Sequence, residues 1–261
     1  MERVFDIPLA IVGPLIVFGL VSLAITGMLL TRKFLLPRLV ISEVDSEFSG
    51  AMVQGICVFY GLALALLAVH VLDNYTDVSK TVSNEATTIA TLYRDVSAYP
   101  EPVRSVLRED IRLYVESVIK DAWPLQAQGK TPTLGVEQMS RFQTDLSSFQ
   151  PQGASQEILH AETLSAFNRM NDARRMRVDA VNTHLPGIMW FVIIFGALIS
   201  LFASFFFRVV DRRLHGILVG LLAVFIAVVI FMILSLDHPF RGDLGISSAP
   251  YELIYDQLMK Q

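Results

Sequence analysis

The chain has 261 residues, of which 53% are hydrophobic and only 18% charged, with a formal net charge of -4 and a mean hydropathy of +0.51. Soluble domains carry about a quarter charged residues, so this balance argues against a disordered tail and an ordinary soluble enzyme. The negative sign argues equally against a nucleic-acid binder. What remains is a membrane protein with a modest polar part.

Four uncharged stretches reach the length of about 20 residues that a helix needs to cross a bilayer. They run from Ile7 to Leu30, Ser49 to Leu72, Gly187 to Phe207 and Leu214 to Leu236. The first has an apolar core longer than a secretory signal and a leader, MERVFD, that mixes acidic and basic residues, so it reads as a retained span. The expected organisation is all-α. A transmembrane hairpin (1–72) precedes a helical extramembrane domain (73–186), and a second hairpin (187–236) leads to a short tail (237–261).

Within the second span, Gln54, Val58, Gly61, Ala65 and Ala68 fall near one helical face. Small residues there let helix backbones approach closely. The functional alternative is a pore lining, with Gln54 as its most polar element. The lone cysteine, Cys57, lies in the same run, so it reads as a small apolar side chain and no intrachain disulfide is possible.

Beyond the span, Val71, Tyr75, Val78, Val82, Ala86, Ile89 and Tyr93 recur at spacings of four and three. That pattern is a continuous helical seam. No proline or glycine intervenes between Gly61 and Pro100, so the second span is expected to continue as one long helix. Pro102 starts the next helix, whose apolar face runs from Val103 through Leu107, Ile111, Tyr114 and Val118, and Trp123-Pro124 is expected to end it. A polar loop to Gly135 follows, then a short helix with Val136, Met139, Phe142, Leu146 and Phe149 inward. After Pro151-Gln152-Gly153, Ser155 is a candidate N-cap for a helix carrying Leu159, Leu164, Phe167, Met170 and Ala173 on one stripe.

With four crossings, both termini and the long insert share one side. Six basic residues in the short loops (Arg32, Lys33, Arg38, Arg208, Arg212, Arg213) favour a cytoplasmic position for those loops and an extracytoplasmic insert. Lys80, Arg174, Arg175, Arg177 and Arg241 on the other side pull the opposite way. Arg174, Arg175 and Arg177 read first as a solvated face near anionic headgroups. The alternative is a face paired with Glu85, Arg94 and Asp95 on the long helix.

No nucleophile motif, metal-ligand spacing or phosphate-cradling loop occurs, and His70, His160, His184, His215 and His238 include no HExxH or HxxxH pair. Neither catalytic residues, a metal nor a cofactor is expected. Asp6, His70, Asp73, His184, Asp237, His238 and Arg241 gather at one membrane face, which solvation at the headgroups explains. The functional alternative is a vestibule built from His70, Asp73, Asp237 and Arg241, with Asp237 and Arg241 paired across helices. Phe202, Phe205, Phe206 and Phe207 read as lipid-facing bulk and anchoring.

The tail reads Asp237-His238-Pro239-Phe240-Arg241-Gly242, then Asp243-Leu244-Gly245-Ile246-Ser247. This resembles the hallmark of the bestrophin-like family of bacterial membrane proteins, an Asp-x-Pro-Phe-x-Gly element at the end of the last span. Its motif positions here are Asp237, Pro239, Phe240 and Gly242. Val82-Ser83-Asn84-Glu85-Ala86 with Leu92-Tyr93-Arg94, and Asn171-Asp172-Ala173-Arg174-Arg175 leading to Leu185-Pro186 and Trp190, are similar to further family stretches. The likeness covers nearly the whole chain.

The resemblance implies a multi-pass protein of the bacterial inner membrane and a homo-oligomeric, pentameric ion channel passing small inorganic ions, with the second span lining the pore. It also implies a cytoplasmic insert, against the loop charges. Where bestrophins carry an aromatic-rich constriction, this chain offers Phe59 and Tyr60. The competing reading is a membrane-anchored sensor or scaffold whose helical bundle binds a ligand or partner subunit. A stator-like subunit ranks lower, since none of the four spans carries Asp or Glu.

Overall fold

The computed structural model describes residues 7–38, 43–132, 135–206 and 211–260, with side chains of the second segment described from residue 50. Asp6, Phe207 and Arg208 lie outside the described residues. Nine α-helices and no strand occur among the described residues: α1 Leu9–Leu30, α2 Glu43–Val96, α3 Val103–Ser117, α4 Trp123–Ala127, α5 Val136–Ser148, α6 Ala154–Ala180, α7 Gly187–Ser204, α8 Arg212–Leu236 and α9 Ala249–Ile254. Four stretches are long and apolar enough to cross a membrane: Leu9–Arg38, Gly50–Val96, Gly187–Ser204 and Arg212–Leu236. The chain forms two compact units, residues 1–73 with 184–237 and residues 74–183 with 238–261.

The first unit packs the spans on one apolar seam. Ala24 and Met28 of α1, Leu64 and Val71 of α2, Ile193, Ala197 and Leu201 of α7, and Val219, Ala223, Ile226 and Ile230 of α8 form its core. Association of helices in lipid depends on close fit because lipid tails are as apolar as leucine. Two glycines provide that fit. A Cβ on Gly196 would stand 2.5 Å from the Tyr60 ring, and one on Gly27 would stand 2.7 Å from Phe205. Tyr60 lies over Gly196 and donates its hydroxyl to the Ile193 carbonyl at 2.8 Å. Phe205 is accordingly buried rather than lipid-facing, while Phe202 stays half exposed.

Asp211 caps α8 by accepting from the Arg213 backbone N–H at 2.7 Å. His215 places Nε2 3.2 Å from the Ser204 carbonyl, so it satisfies a carbonyl at the end of α7 with the Nε2–H tautomer.

The second unit is a helical bundle. Val78, Val82, Ala86, Ile89 and Leu92 of α2 meet Leu107, Ile111 and Tyr114 of α3, Phe142 and Leu146 of α5, and Phe167 and Met170 of α6. The helix begun at Val103 does not stop at Trp123. A π turn over Val118–Ala122 carries it into α4, with Pro124 tolerated in the first turn of the new segment. Ser155 is not the cap of α6. Gly153, at φ +99°, precedes the helix, and Ser155 falls inside its first turn.

The glycine contacts yield a paired prediction. Gly196→Ala should destabilise the spans by about 1–3 kcal/mol, the usual cost of overpacking, because Tyr60 must move and lose its bond to Ile193. Gly61→Ala, with nothing within 4 Å of the added methyl, should leave stability unchanged. Thermal unfolding of the detergent-solubilised protein checks both, and equal effects would contradict the packing described.

Candidate functional site

The bare face of α2 comes first. Val53, Leu64 and Val71 are buried, and Tyr60, Leu67 and Ala68 pack partly against the same core. Gln54, Val58 and Ala65 point away from that core and are exposed, Val58 at 62%, and Gly61 has open space where a Cβ would be. Close packing within the chain therefore explains Ala68 but not Gly61 or Ala65. Phe59 is 76% exposed beside this stripe.

The expected vestibule residues divide between the two units. His70 and Asp73 are exposed on α2, and Asp237 is 3% exposed at the end of α8. The Asp237 carboxylate accepts from the Leu185 backbone N–H at 2.6 Å and from Trp190 Nε1 at 3.2 Å, tying the end of α8 to the start of α7. Arg241 belongs to the second unit, where its side chain passes over Gly129.

The tail motif is a folded turn. The Ile246 N–H donates to the Pro239 carbonyl at 2.8 Å, and the Gly245 N–H to the Gly242 carbonyl at 3.0 Å. Gly242 sits at φ +73°, a conformation that favours glycine. A Cβ on Gly245 would stand 2.8 Å from the Phe240 carbonyl oxygen. Phe240 is buried edge-on against Trp123, with ring centroids 5.7 Å apart, and Trp123 Nε1 donates to the Ile246 carbonyl at 3.2 Å. Each motif residue thus has a distinct packing or backbone role.

The centre of the second unit is a buried ion pair. Arg177 of α6 and Glu85 of α2 are 1% and 0% exposed. Arg177 Nε donates to Glu85 Oε2 at 2.6 Å, Nη2 to Oε1 at 3.2 Å, and Nη1 to Gln126 Oε1 at 2.8 Å. The Tyr114 hydroxyl donates to Glu85 Oε1 at 2.7 Å. Trp123 and Tyr251 place their rings 6.0 and 5.7 Å from the guanidinium. Burial opposes the charge on Arg177, but the Glu85 carboxylate more than offsets it, so its pKa lies above the ordinary arginine value. Desolvation first, and then the Glu85 charge, push both the Tyr114 and Tyr251 hydroxyls up, which keeps both neutral, with Tyr114 as the donor to Glu85.

Arg177 is therefore not part of a solvated basic face, and the paired alternative describes it. Arg94 is exposed on α2, and Asp95 is half-buried with its carboxyl pushed up by burial and by Glu162, against Arg169. Sequence reasoning missed Tyr114, Gln126 and Tyr251 as partners. A usable signal is present: Glu85 falls on the same seam as Val82 and Ile89, and a carboxylate at a core position demands a partner.

A groove of about 610 Å³ runs between α2 and α9. Ser83, Thr87, Thr91 and Arg94 line one side, and Pro250 and Leu253 the other. The three hydroxyls donate to carbonyls four residues back, at 3.1, 2.9 and 3.1 Å. No group of three or more potential metal ligands occurs among the described residues.

The buried pair generates a second prediction. Arg177→Met leaves Glu85 buried without its counter-charge and should cost about 3–5 kcal/mol. Glu85→Leu combined with Arg177→Met should recover most of that loss. Denaturant unfolding of the full chain in detergent, followed by tryptophan fluorescence, reads the difference, and additive losses in the double variant would contradict the pairing.

The family model for the Bestrophin-like domain matches residues 18–251, which takes in most of the first apolar helix, the other three and the tail turn. No curated protein and no solved structure matches the chain. On that coverage, and with four helices able to cross a bilayer, the chain is a membrane protein belonging to the bestrophin-like family.

Proposed function

We propose that the chain is one subunit of a homo-oligomeric ion channel of the bacterial inner membrane, with α2 lining a central passage for small inorganic ions. The observation that carries this reading is the bare stripe of α2. Gln54, Val58, Gly61 and Ala65 are left uncovered by every other described element of the chain, while the opposite side of the same helix is packed. Small residues repeated around an axis leave room for a lumen, and Gln54 offers it an amide. Family membership supports the pore position of this helix by resemblance, and a pentamer on the same ground.

In this reading the unit containing residues 74–183 stands outside the bilayer as a helical domain. The short-loop arginines and lysine favour its extracytoplasmic placement. His70 and Asp73, exposed near the end of the span on α2, are the residues this reading assigns to a vestibule of the assembled channel, while the buried Asp237 holds Leu185 and Trp190. Nothing in the proposal needs a cofactor or a catalytic step.

The second reading, a membrane-anchored sensor or scaffold, is favoured by one observation. The groove between α2 and α9 offers apolar side chains, hydroxyl oxygens and Arg94 to a ligand or partner subunit.

The test uses purified full-length protein in planar bilayers. The channel reading expects conductance, and Ala65→Trp should reduce unitary current by about tenfold or more by narrowing the lumen at a constriction. The folded state should be unaffected, because Ala65 is exposed in the subunit. Absence of conductance, or full current through Ala65→Trp, would contradict the assignment. Co-purification of one defined partner without conductance would favour the sensor reading.

A further inference from the structure

Asp110 is a carboxyl group in the wrong surroundings for an ordinary one. It lies on the packed face of α3 beside Leu107 and Ile111, is 8% exposed, and has its Oδ2 buried without a hydrogen-bond partner among the described residues. The charged groups that bear on it are Asp145 and Arg141 from α5 and Glu109 from α3 itself. Arg141 is shared with Glu137 at 2.7 Å, and Glu109 is held by Arg112 at 2.6 and 2.7 Å. That leaves Asp145, a half-buried carboxylate next to the buried Leu146 of α5, as the like charge that bears most on Asp110.

The helix that carries Asp145 is lightly held. α5 buries three side chains, Met139, Phe142 and Leu146, with Phe142 against Phe167 of α6 at 5.2 Å between ring centroids. Glycines with positive φ flank it, Gly135 at +85° before and Gly153 at +99° after. A short helix with few buried contacts belongs to the part of a fold that opens first. A carboxylate pair inside its contact surface therefore bears directly on whether it stays closed.

We propose that Asp110 and Asp145 form a proton-operated latch that locks α5 onto α3 when the surrounding solution is acidified. With both groups ionised, two like charges face each other at the helix contact and push it apart. With one proton bound, the protonated oxygen donates to the other carboxylate, which satisfies the orphan Oδ2 and removes the repulsion. Desolvation first, then the Asp145 charge, raise the Asp110 pKa to about 6 from an ordinary 3.8. The sign follows: the folded state binds the proton more tightly than the unfolded chain, so stability gained from it is complete below the ordinary value and is lost as pH rises through about 6. The inference does not depend on whether the chain conducts.

Amide hydrogen exchange of the full-length protein in detergent, corrected for the intrinsic chemical rate at each pH, tests it. Protection of α5 should be about tenfold or more higher at pH 5 than at pH 7.5, while α6 stays unchanged. Asp110→Asn, which imitates the protonated group, should protect α5 equally at both pH values. Asp145→Asn keeps Asp110 buried but removes its like charge, so the transition should persist and move to lower pH. Equal α5 protection at both pH values in the native protein would overturn the latch. So would a native-like pH response in Asp110→Asn, or an unmoved transition in Asp145→Asn.

Discussion

The second unit depends on one contact, in which Glu85 accepts two donors from Arg177 in an interior that neither charge would enter alone. Taking both charges out of water costs several kcal/mol apiece, and their attraction repays it only when the remaining polar atoms are satisfied. Tyr114 and Gln126 provide that satisfaction. The contact thereby gathers α2, α3, α4 and α6 around one point, with Tyr251 of the tail helix stacked beside it. The Tyr99 hydroxyl meets His160 Nδ1 at 3.0 Å, so contacts 85–177 and 99–160 fix α6 antiparallel to this part of the chain. A purely apolar seam permits sliding by a helical turn; a buried bidentate pair does not.

The same helix carries the surface proposed to line a passage. α2 runs unbroken over 54 residues and has two sides of different character in the first unit. One is closed by Tyr60 over Gly196 and by Leu64 and Val71 in the core. The other leaves Ala65 exposed, and Gly61 with open space where a Cβ would stand, among the described residues. In lipid, small residues contribute to helix association by letting another backbone approach closely. The proposed assembly would set a partner subunit or a lumen against this bare stripe.

Much of this architecture is legible in the sequence, because the spans are uninterrupted apolar runs and the extension of α2 contains no proline or glycine between Gly61 and Pro100. The periodic seam from Val78 to Tyr93 indeed enters the core of the second unit. Glu85 interrupts that seam with a charge, which signals a buried partner, yet Arg174, Arg175 and Arg177 are equally available to it on paper. Only the fold selects Arg177, because the α6 stripe through Met170 and Ala173 turns that residue inward. The π turn at Val118–Ala122 has no signature, since Trp123-Pro124 reads locally as a helix end. The hold of Asp237 on Leu185 and Trp190 joins residues 52 and 47 positions apart, distances over which periodicity says nothing.

On the proposed reading, the bare face of α2 looks onto a passage at the axis of an assembly. Electron microscopy of the detergent-solubilised full-length protein tests it most directly. A closed ring of identical subunits with Gln54, Val58, Gly61 and Ala65 facing the axis is expected. A monomer, or an antiparallel dimer with this stripe turned to lipid, would contradict it.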